Sequence, residues 1–317
     1  MGASTMNSAQ PVVAVVGAGA VGCYYGGMLA RAGAAVTLIG RPAHVEAIRQ
    51  GGLVFEARGR TERVAVAAET QIAAAAGAQL VLFCVKSTDT DAAAAALAPH
   101  LAGDALVLAL QNGVDNPPRI AARVAVPVVP AVVYVACHMA GPGHVRHTGR
   151  GDLVIGALRG AAHAAGSARL ASLAATLDAA GIPCRVSANV EGELWGKLLI
   201  NCTYNAISAL GRAQYKRLTA LPESRELMAA VVREVLAVAA AEGVVMPPGD
   251  WVETALALSQ SMPEATSSTA QDIARGKRTE IDHLNGYVAA CGAARGVPTP
   301  VNRALFALVK LVEDGLP

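Results

Sequence analysis

The chain has 317 residues, enough for one large domain or two ordinary ones, and a formal net charge of +2. That charge is too small to point to a nucleic-acid or anionic-membrane partner, and aromatics at 3% leave little for base stacking. The 53% hydrophobic content is Ala and Val broken by Gly, with no clean run of the roughly 18 apolar residues a membrane span needs.

Met1 to Gln10 is polar and lacks the apolar stretch of a signal peptide, and Met6 is an alternative start. Pro11 to Val16 is apolar and β-branched, as a buried parallel strand is. A glycine loop follows, then a small-residue helix to about Ala32, closed by Gly33, and a second buried strand over Ala35 to Ile39. This is a strand–helix–strand unit. Gly52 to Glu69 holds two alternating strands with a turn at Arg58-Gly59. Leu80 to Val85 is a strand closed by Lys86, Asp89 to Leu101 an Ala-rich helix, and Ala105 to Leu110 a strand ending in Gln111-Asn112-Gly113. Pro127 to Val135 is again β-like, and His144 to Ile155 reads as a hairpin around Gly149-Arg150-Gly151. An amphipathic helix over Ser167 to Ala180 and a short strand over Pro183 to Val186 complete this half. Beyond Asn189 strand signals vanish, and helical periods run over 191–209, 223–242, 249–261, 266–276, 279–294 and 300–313. The pattern predicts an α/β protein: a doubly wound sheet over 1–187, followed by an all-helical domain over 188–317.

The six cysteines form no CxxC pair and mostly lie in apolar runs, as reduced thiols of a cytoplasmic protein do. His144 and His147 fall in a Gly-Pro-Gly segment, which reads as a surface hairpin and not as one of the three or four converging ligands that zinc requires. No metal site is expected.

Gly17-Ala18-Gly19-Ala20-Val21-Gly22 is a GxGxxG loop that follows a buried strand and opens a helix, the context that gives this motif its meaning. Gly17 makes the tight turn, Gly19 lets backbone approach a pyrophosphate, and Gly22 lets helix and strand pack closely. The helix N-terminus faces the anion. The first domain therefore reads as a Rossmann-type dinucleotide-binding sheet. At the end of the second strand, Leu38-Ile39-Gly40-Arg41 offers no carboxylate for a ribose 2′-hydroxyl. Arg41 offers instead a planar cation suited to a 2′-phosphate, so the expected cofactor is NADP.

In the helical domain, Lys197, Asn201 and Asn205 recur at i, i+4 and i+8, which lines an ammonium and two amides along one helix face. Leu198, Leu199 and Ile200 between them should face the core. Spacing alone suits a solvated face as well as a site, and the dinucleotide loop upstream favours the site. Reduction of a ketone by hydride leaves an alkoxide that must be stabilised and protonated. A lysine supplies both, and burial lowers its pKa toward the working pH. Asparagines donate to a carboxylate and accept from a hydroxyl.

Taken together, Gly17–Gly22, Arg41, Val85-Lys86, Gln111-Asn112-Gly113, Leu194-Trp195-Gly196-Lys197 with Asn201 and Asn205, Ser267-Ser268, Thr279 to Asp282 and Asn285-Gly286 resemble the ketopantoate reductase family over nearly the whole chain. The resemblance implies NADPH-dependent reduction of 2-dehydropantoate to pantoate, with Lys197 as general acid. It implies that Asn112, Lys197, Asn201, Asn205 and Ser268 hold the 2-keto acid. The cofactor would be bound by Gly17, Ala18, Gly19, Ala20, Val21, Gly22, Arg41, Lys86, Asn112, Glu280 and the backbone of Ala136. The family often carries a further substrate-binding asparagine where this chain reads Gly211-Arg212-Ala213-Gln214-Tyr215, a departure that leaves the 2-keto acid open. Local structure offers second readings: Ser267-Ser268 as a helix cap and Thr279-Glu280 as a helix start. The alternatives in function are a related NADP-dependent dehydrogenase of another 2- or 3-hydroxy acid, and a non-catalytic NADP(H) sensor. A small-molecule substrate, no nucleic acid or membrane partner, and a homodimer are expected, as is closure of the two domains on substrate.

Overall fold

The computed structural model describes residues 11–316, so Met1 to Gln10, including the alternative start at Met6, lie outside the described residues. Contacts divide the chain into two compact units, Met1–Val190 and Glu191–Pro317.

The first unit is built on strands β1 (Val12–Val16), β2 (Ala35–Ile39), β3 (Leu53–Ala57), β4 (Arg60–Val64), β5 (Ala67–Glu69), β6 (Leu80–Phe83), β7 (Leu106–Ala109), β8 (Val128–Gly141), β9 (His144–Ile155) and β10 (Cys184–Val186). Its helices are α1 (Ala20–Arg31), α2 (Pro42–Gly51), α3 (Thr90–Leu97), α4 (Asn116–Ala121) and α5 (Ser167–Ala179). Six strands run parallel in the order β5-β2-β1-β6-β7-β8, which is the strand order of a dinucleotide-binding sheet. β1 is buried on both faces because its alternate residues enter different cores. Val13 and Val15 pack with Leu29 of α1 and Leu173 of α5, and Ala14 and Val16 pack with Leu97 of α3 and Ile120 of α4. That two-sided burial is why the strands read as continuous Val/Ile/Leu runs.

The β3–β4 hairpin turns at Arg58 (φ 52°) and Gly59 (φ 73°), both left-handed, the turn type whose twist suits two paired strands. The expected hairpin around Gly149-Arg150-Gly151 is not formed. His144–Ile155 is a single strand, antiparallel to β8, and the chain reverses at Pro142-Gly143 instead. Near Gly149–Gly151 the β8–β9 register shifts, so these glycines mark an irregularity in a ladder. A side chain at Gly151 would place its Cβ 2.3 Å from the Tyr24 hydroxyl. Three helices were not visible as periods. α2 starts on Pro42 directly after Arg41, α4 carries Pro117-Pro118 in its first turn, and α7 (Tyr215–Leu218) is only one turn long. Proline is suited to a helix's first turn, where its missing N–H costs nothing.

The second unit contains α6 (Val190–Leu210), which begins at the boundary, then α7, α8 (Pro222–Ala241), α9 (Trp251–Ser261), α10 (Ser268–Ala274), α11 (Asn285–Arg295) and α12 (Pro300–Asp314). α6 is its axis: Leu198, Leu199, Cys202 and Tyr204 are all buried. Tyr204 donates its hydroxyl to the Ala255 carbonyl of α9 (2.7 Å), and Asn285 of α11 donates to the Cys202 carbonyl (3.1 Å). Gly196 lets α9 come close, since a Cβ there would lie 2.4 Å from the Trp251 ring. Glu234 of α8 accepts from the backbone N–H groups of Val301 and Asn302, each at 2.9 Å, placing a carboxylate at the N-terminus of α12. The helical period expected from 279 begins at Asn285, because Ile281–His283 forms a 3-10 turn first.

Candidate active site

Four neighbouring parallel strands, β7, β6, β1 and β2, deliver the first unit's candidate residues just beyond their C-terminal ends: Asn112, Lys86, the Gly17–Gly22 loop and Arg41. That edge is where open α/β sheets bind ligands.

The three loop glycines are glycine for different reasons. Gly17 has φ 110°, and a Cβ there would sit 2.6 Å from the Cys84 backbone carbon. A Cβ on Gly22 would lie 2.2 Å from the Gly17 carbonyl oxygen. At Gly19 nothing in the protein comes within 4 Å of the added carbon. Intramolecular packing therefore explains Gly17 and Gly22 and does not explain Gly19. Open space beside the start of α1 is what a pyrophosphate would fill. No side chain caps α1, and its first turn carries no acid, which suits an anion at its N–H groups. Gly17 and Ala18 donate to the Ile39 carbonyl at 2.9 and 3.0 Å, tying the loop to the end of β2 and so to exposed Arg41.

Lys86 is exposed and precedes a 3-10 turn over Ser87–Asp89. Asn112 is partly buried, and its carbonyl accepts from the Asn116 amide (2.6 Å) and the Ser87 hydroxyl (3.3 Å). Ala136 sits opposite Gly149 in the β8–β9 ladder, and its carbonyl already accepts from the Thr148 hydroxyl (3.1 Å).

In the second unit, Lys197 and Asn201 are partly buried on α6 and Asn205 is buried. Asn205 and Ser268 meet: the Ser268 hydroxyl donates to Asn205 Oδ1 (3.3 Å). The helix-cap reading of Ser267 also holds, for its oxygen accepts from the Ala270 N–H (3.1 Å) while its hydroxyl donates to the Asn205 carbonyl (3.0 Å). Ser267 thus fixes Ser268 against α6. Glu280 is partly buried, and its neighbour Thr279 is held by Glu313 Oε1 through its N–H (2.7 Å) and hydroxyl (2.6 Å). Burial pushes the Glu313 carboxyl up, but bonds from Lys310 and Thr279 outweigh it and hold it below the usual glutamate range. In the segment that departs from the family, the Tyr215 ring lies against Tyr204 with centroids 4.4 Å apart and planes tilted by 48°, and burial pushes its phenol up to about 12. Gln214 is partly buried at the start of α7.

The sequence reading missed the side chains beneath Asn112, namely Ser87, Thr90, Asn116 and Arg119. In sequence Thr90 and Asn116 look like ordinary residues at helix starts, and only their burial distinguishes them. Among the described residues no group of three His, Cys, Asp or Glu could hold a metal ion, and no helix is long and apolar enough to cross a membrane.

The ketopantoate reductase PanE/ApbA family model matches residues 13–160, and the ketopantoate reductase PanE/ApbA C-terminal model matches residues 189–313. The chain belongs to the ketopantoate reductase family. The 2-dehydropantoate 2-reductase of Halobacterium salinarum is 37% identical over 309 residues, covering 96% of this chain and 99% of that relative. The enzyme of the same name from Archaeoglobus fulgidus is 30% identical, covering 96% and 98%. The crystal structure of a PanE/ApbA family ketopantoate reductase from Ralstonia eutropha has a TM-score of 0.89 at 53% identity, covering 95% of this chain and 98% of that one. A D-mandelate dehydrogenase in ternary complex with NADH and anilino(oxo)acetate has a TM-score of 0.86 at 25% identity, covering 96% and 99%. These relatives make this chain an oxidoreductase of the ketopantoate reductase family, with the fold of that family.

Proposed function

We propose that this chain reduces 2-dehydropantoate to pantoate with NADPH, using Lys197 as general acid. The observation that carries the cofactor half is the unfilled space at Gly19 beside an uncapped helix start, with Arg41 and no carboxylate at the end of β2. Bound there, NADPH would supply the hydride that attacks the ketone carbon. The N–H groups opening α1 would take the pyrophosphate, and the Arg41 guanidinium the 2′-phosphate. Lys86 and Glu280 would line the cofactor, and Ala136 would offer a carbonyl with one lone pair already engaged.

The protein's part in the chemistry is orientation and a proton. The amides of Asn201 and Asn205 and the hydroxyl of Ser268 would hold the keto acid, with Asn112 where substrate and nicotinamide meet. As hydride adds to the ketone carbon, the carbonyl π electrons move onto oxygen. Lys197 Nζ donates its proton to that oxygen, leaving a neutral amine and a 2-hydroxy acid. The amine then regains a proton from solvent. The reading draws on residues of both units, and it includes a homodimer as the assembled form, which light scattering of the purified chain would test.

A second reading is favoured by two observations: the D-mandelate dehydrogenase likeness, and Tyr215 packed against Tyr204 in the segment that departs from the family. On that reading the substrate is a different 2-keto acid. Initial rates of NADPH and NADH oxidation with 2-dehydropantoate, benzoylformate and pyruvate separate the two. Fastest turnover of 2-dehydropantoate with NADPH supports the first, and preference for benzoylformate overturns it.

A further inference from the structure

We infer that Asn116 and Thr90 are positioning residues: through one buried hydrogen-bond network they set the backbone of Asn112 against that of Lys86. This deepens the proposed function and rests on it.

The two loops that carry Lys86 and Asn112 follow the neighbouring strands β6 and β7. A polar clamp joins them. Thr90 is 0% and Asn116 1% exposed. Gln111 donates its amide to the Val85 carbonyl (3.0 Å) and to the Thr90 hydroxyl (2.7 Å). The Thr90 hydroxyl in turn donates to Asn116 Oδ1 (2.7 Å). Asn116 Nδ2 then donates to the Asn112 carbonyl (2.6 Å) and to Ser87 Oγ (3.0 Å). Arg119, held by Asp91 at 2.6 Å, donates to the Ser87 carbonyl (3.1 Å). The carbonyls on both sides of Lys86, and that of Asn112 itself, are therefore gripped by one network.

Its chemistry argues for positioning over plain stability. Burying amides and hydroxyls brings little net stabilisation compared with apolar packing, because each exchanges water partners for protein ones. What such a network supplies is a single geometry, since every donor direction is fixed by an acceptor. Geometry matters at this place: a displacement of about 1 Å between reacting groups costs on the order of 10²-fold in rate.

The test compares Asn116→Ala, Thr90→Val and Thr90→Ser, with kcat and KM for 2-dehydropantoate, NADPH affinity from cofactor fluorescence, and thermal melting. Val keeps the shape of Thr90 and loses the hydroxyl, whereas Ser keeps the hydroxyl. Asn116→Ala and Thr90→Val should lower kcat/KM by about 10–10²-fold, and Thr90→Ser should stay within about threefold of wild type. Asn116→Ala should add clearly less than its full factor in an Asn112→Ala background, because residues in one hydrogen-bond network couple non-additively. The inference is overturned if Asn116→Ala and Thr90→Val only lower the melting temperature, if serine fails to rescue, or if the Asn112 and Asn116 effects multiply. Should Asn116→Ala not fold, the Thr90 pair decides alone. If wild-type protein binds NADPH but does not reduce 2-dehydropantoate, the substrate assignment fails by itself, and the clamp is judged on NADPH affinity. Weaker binding in Thr90→Val and not in Thr90→Ser supports it, and equal binding in both overturns it.

Discussion

Gly19 and Gly22 lie three residues apart in one loop, yet the structure predicts opposite consequences for adding a methyl group. At Gly22 the new carbon would meet the Gly17 carbonyl oxygen at 2.2 Å and Val15 Cγ1 at 2.8 Å. Backbone has to shift, and overpacking of this kind costs about 1–3 kcal/mol. Replacing a helical glycine returns about 1 kcal/mol, so Gly22→Ala should be destabilised by up to about 2 kcal/mol. At Gly19 the methyl meets no protein atom within 4 Å, and φ −86°, ψ −168° is extended backbone that alanine adopts freely. Its only folding cost is a poorer N-cap, under about 1 kcal/mol. The space it fills is where the pyrophosphate would lie. Losing one hydrogen bond to a charged group there, about 1.5–3 kcal/mol, weakens NADPH binding by about 10–10²-fold. Urea unfolding and fluorescence titration of NADPH on both variants provide the assay. If Gly19→Ala binds NADPH as wild type does, or unfolds more easily than Gly22→Ala, the argument that ligand approach explains Gly19 is refuted.

Two further outcomes follow from named contacts. Arg41→Ala should weaken NADPH binding and leave NADH nearly untouched, so an unchanged NADPH/NADH preference in a steady-state comparison would remove the 2′-phosphate role. Glu313, whose carboxyl is held below the usual range by Lys310 and Thr279 despite its burial, should stabilise the second unit fully above the ordinary glutamate range and lose that contribution as pH falls through its lowered folded value. Glu313→Gln should therefore be less stable than wild type near neutral pH, and the gap in urea midpoint should close on acidification; a gap constant with pH would contradict it.

What could be read from sequence follows from how local each feature is. β1 and the Gly17–Gly22 loop were legible because one short segment carries the strand, the turn and the helix start. The α6 face was legible because i, i+4, i+8 spacing is a property of the helix alone. Gly149–Gly151 misled because glycine marks both turns and ladder irregularities, and only pairing with β8 and the Tyr24 hydroxyl decides between them. α2 and α4 were hidden because proline at a helix start looks locally like a break. The Asn205–Ser268 bond joins residues 63 apart, and the clamp under Asn112 joins residues up to 32 apart. Such contacts exist only once the strands and helices have assembled, and no spacing rule encodes them.

The central claim is that Lys197 delivers the proton. Steady-state NADPH oxidation with 2-dehydropantoate, measured for wild type, Lys197→Ala and Lys197→Arg with circular dichroism as a check on folding, tests it most directly. Lys197→Ala should lower kcat by about 10²–10⁴-fold with NADPH affinity unchanged. Lys197→Arg should not restore turnover, because guanidinium keeps its proton at working pH. A folded Lys197→Ala protein that retained most of the wild-type kcat would contradict the account and return this face of α6 to a structural role.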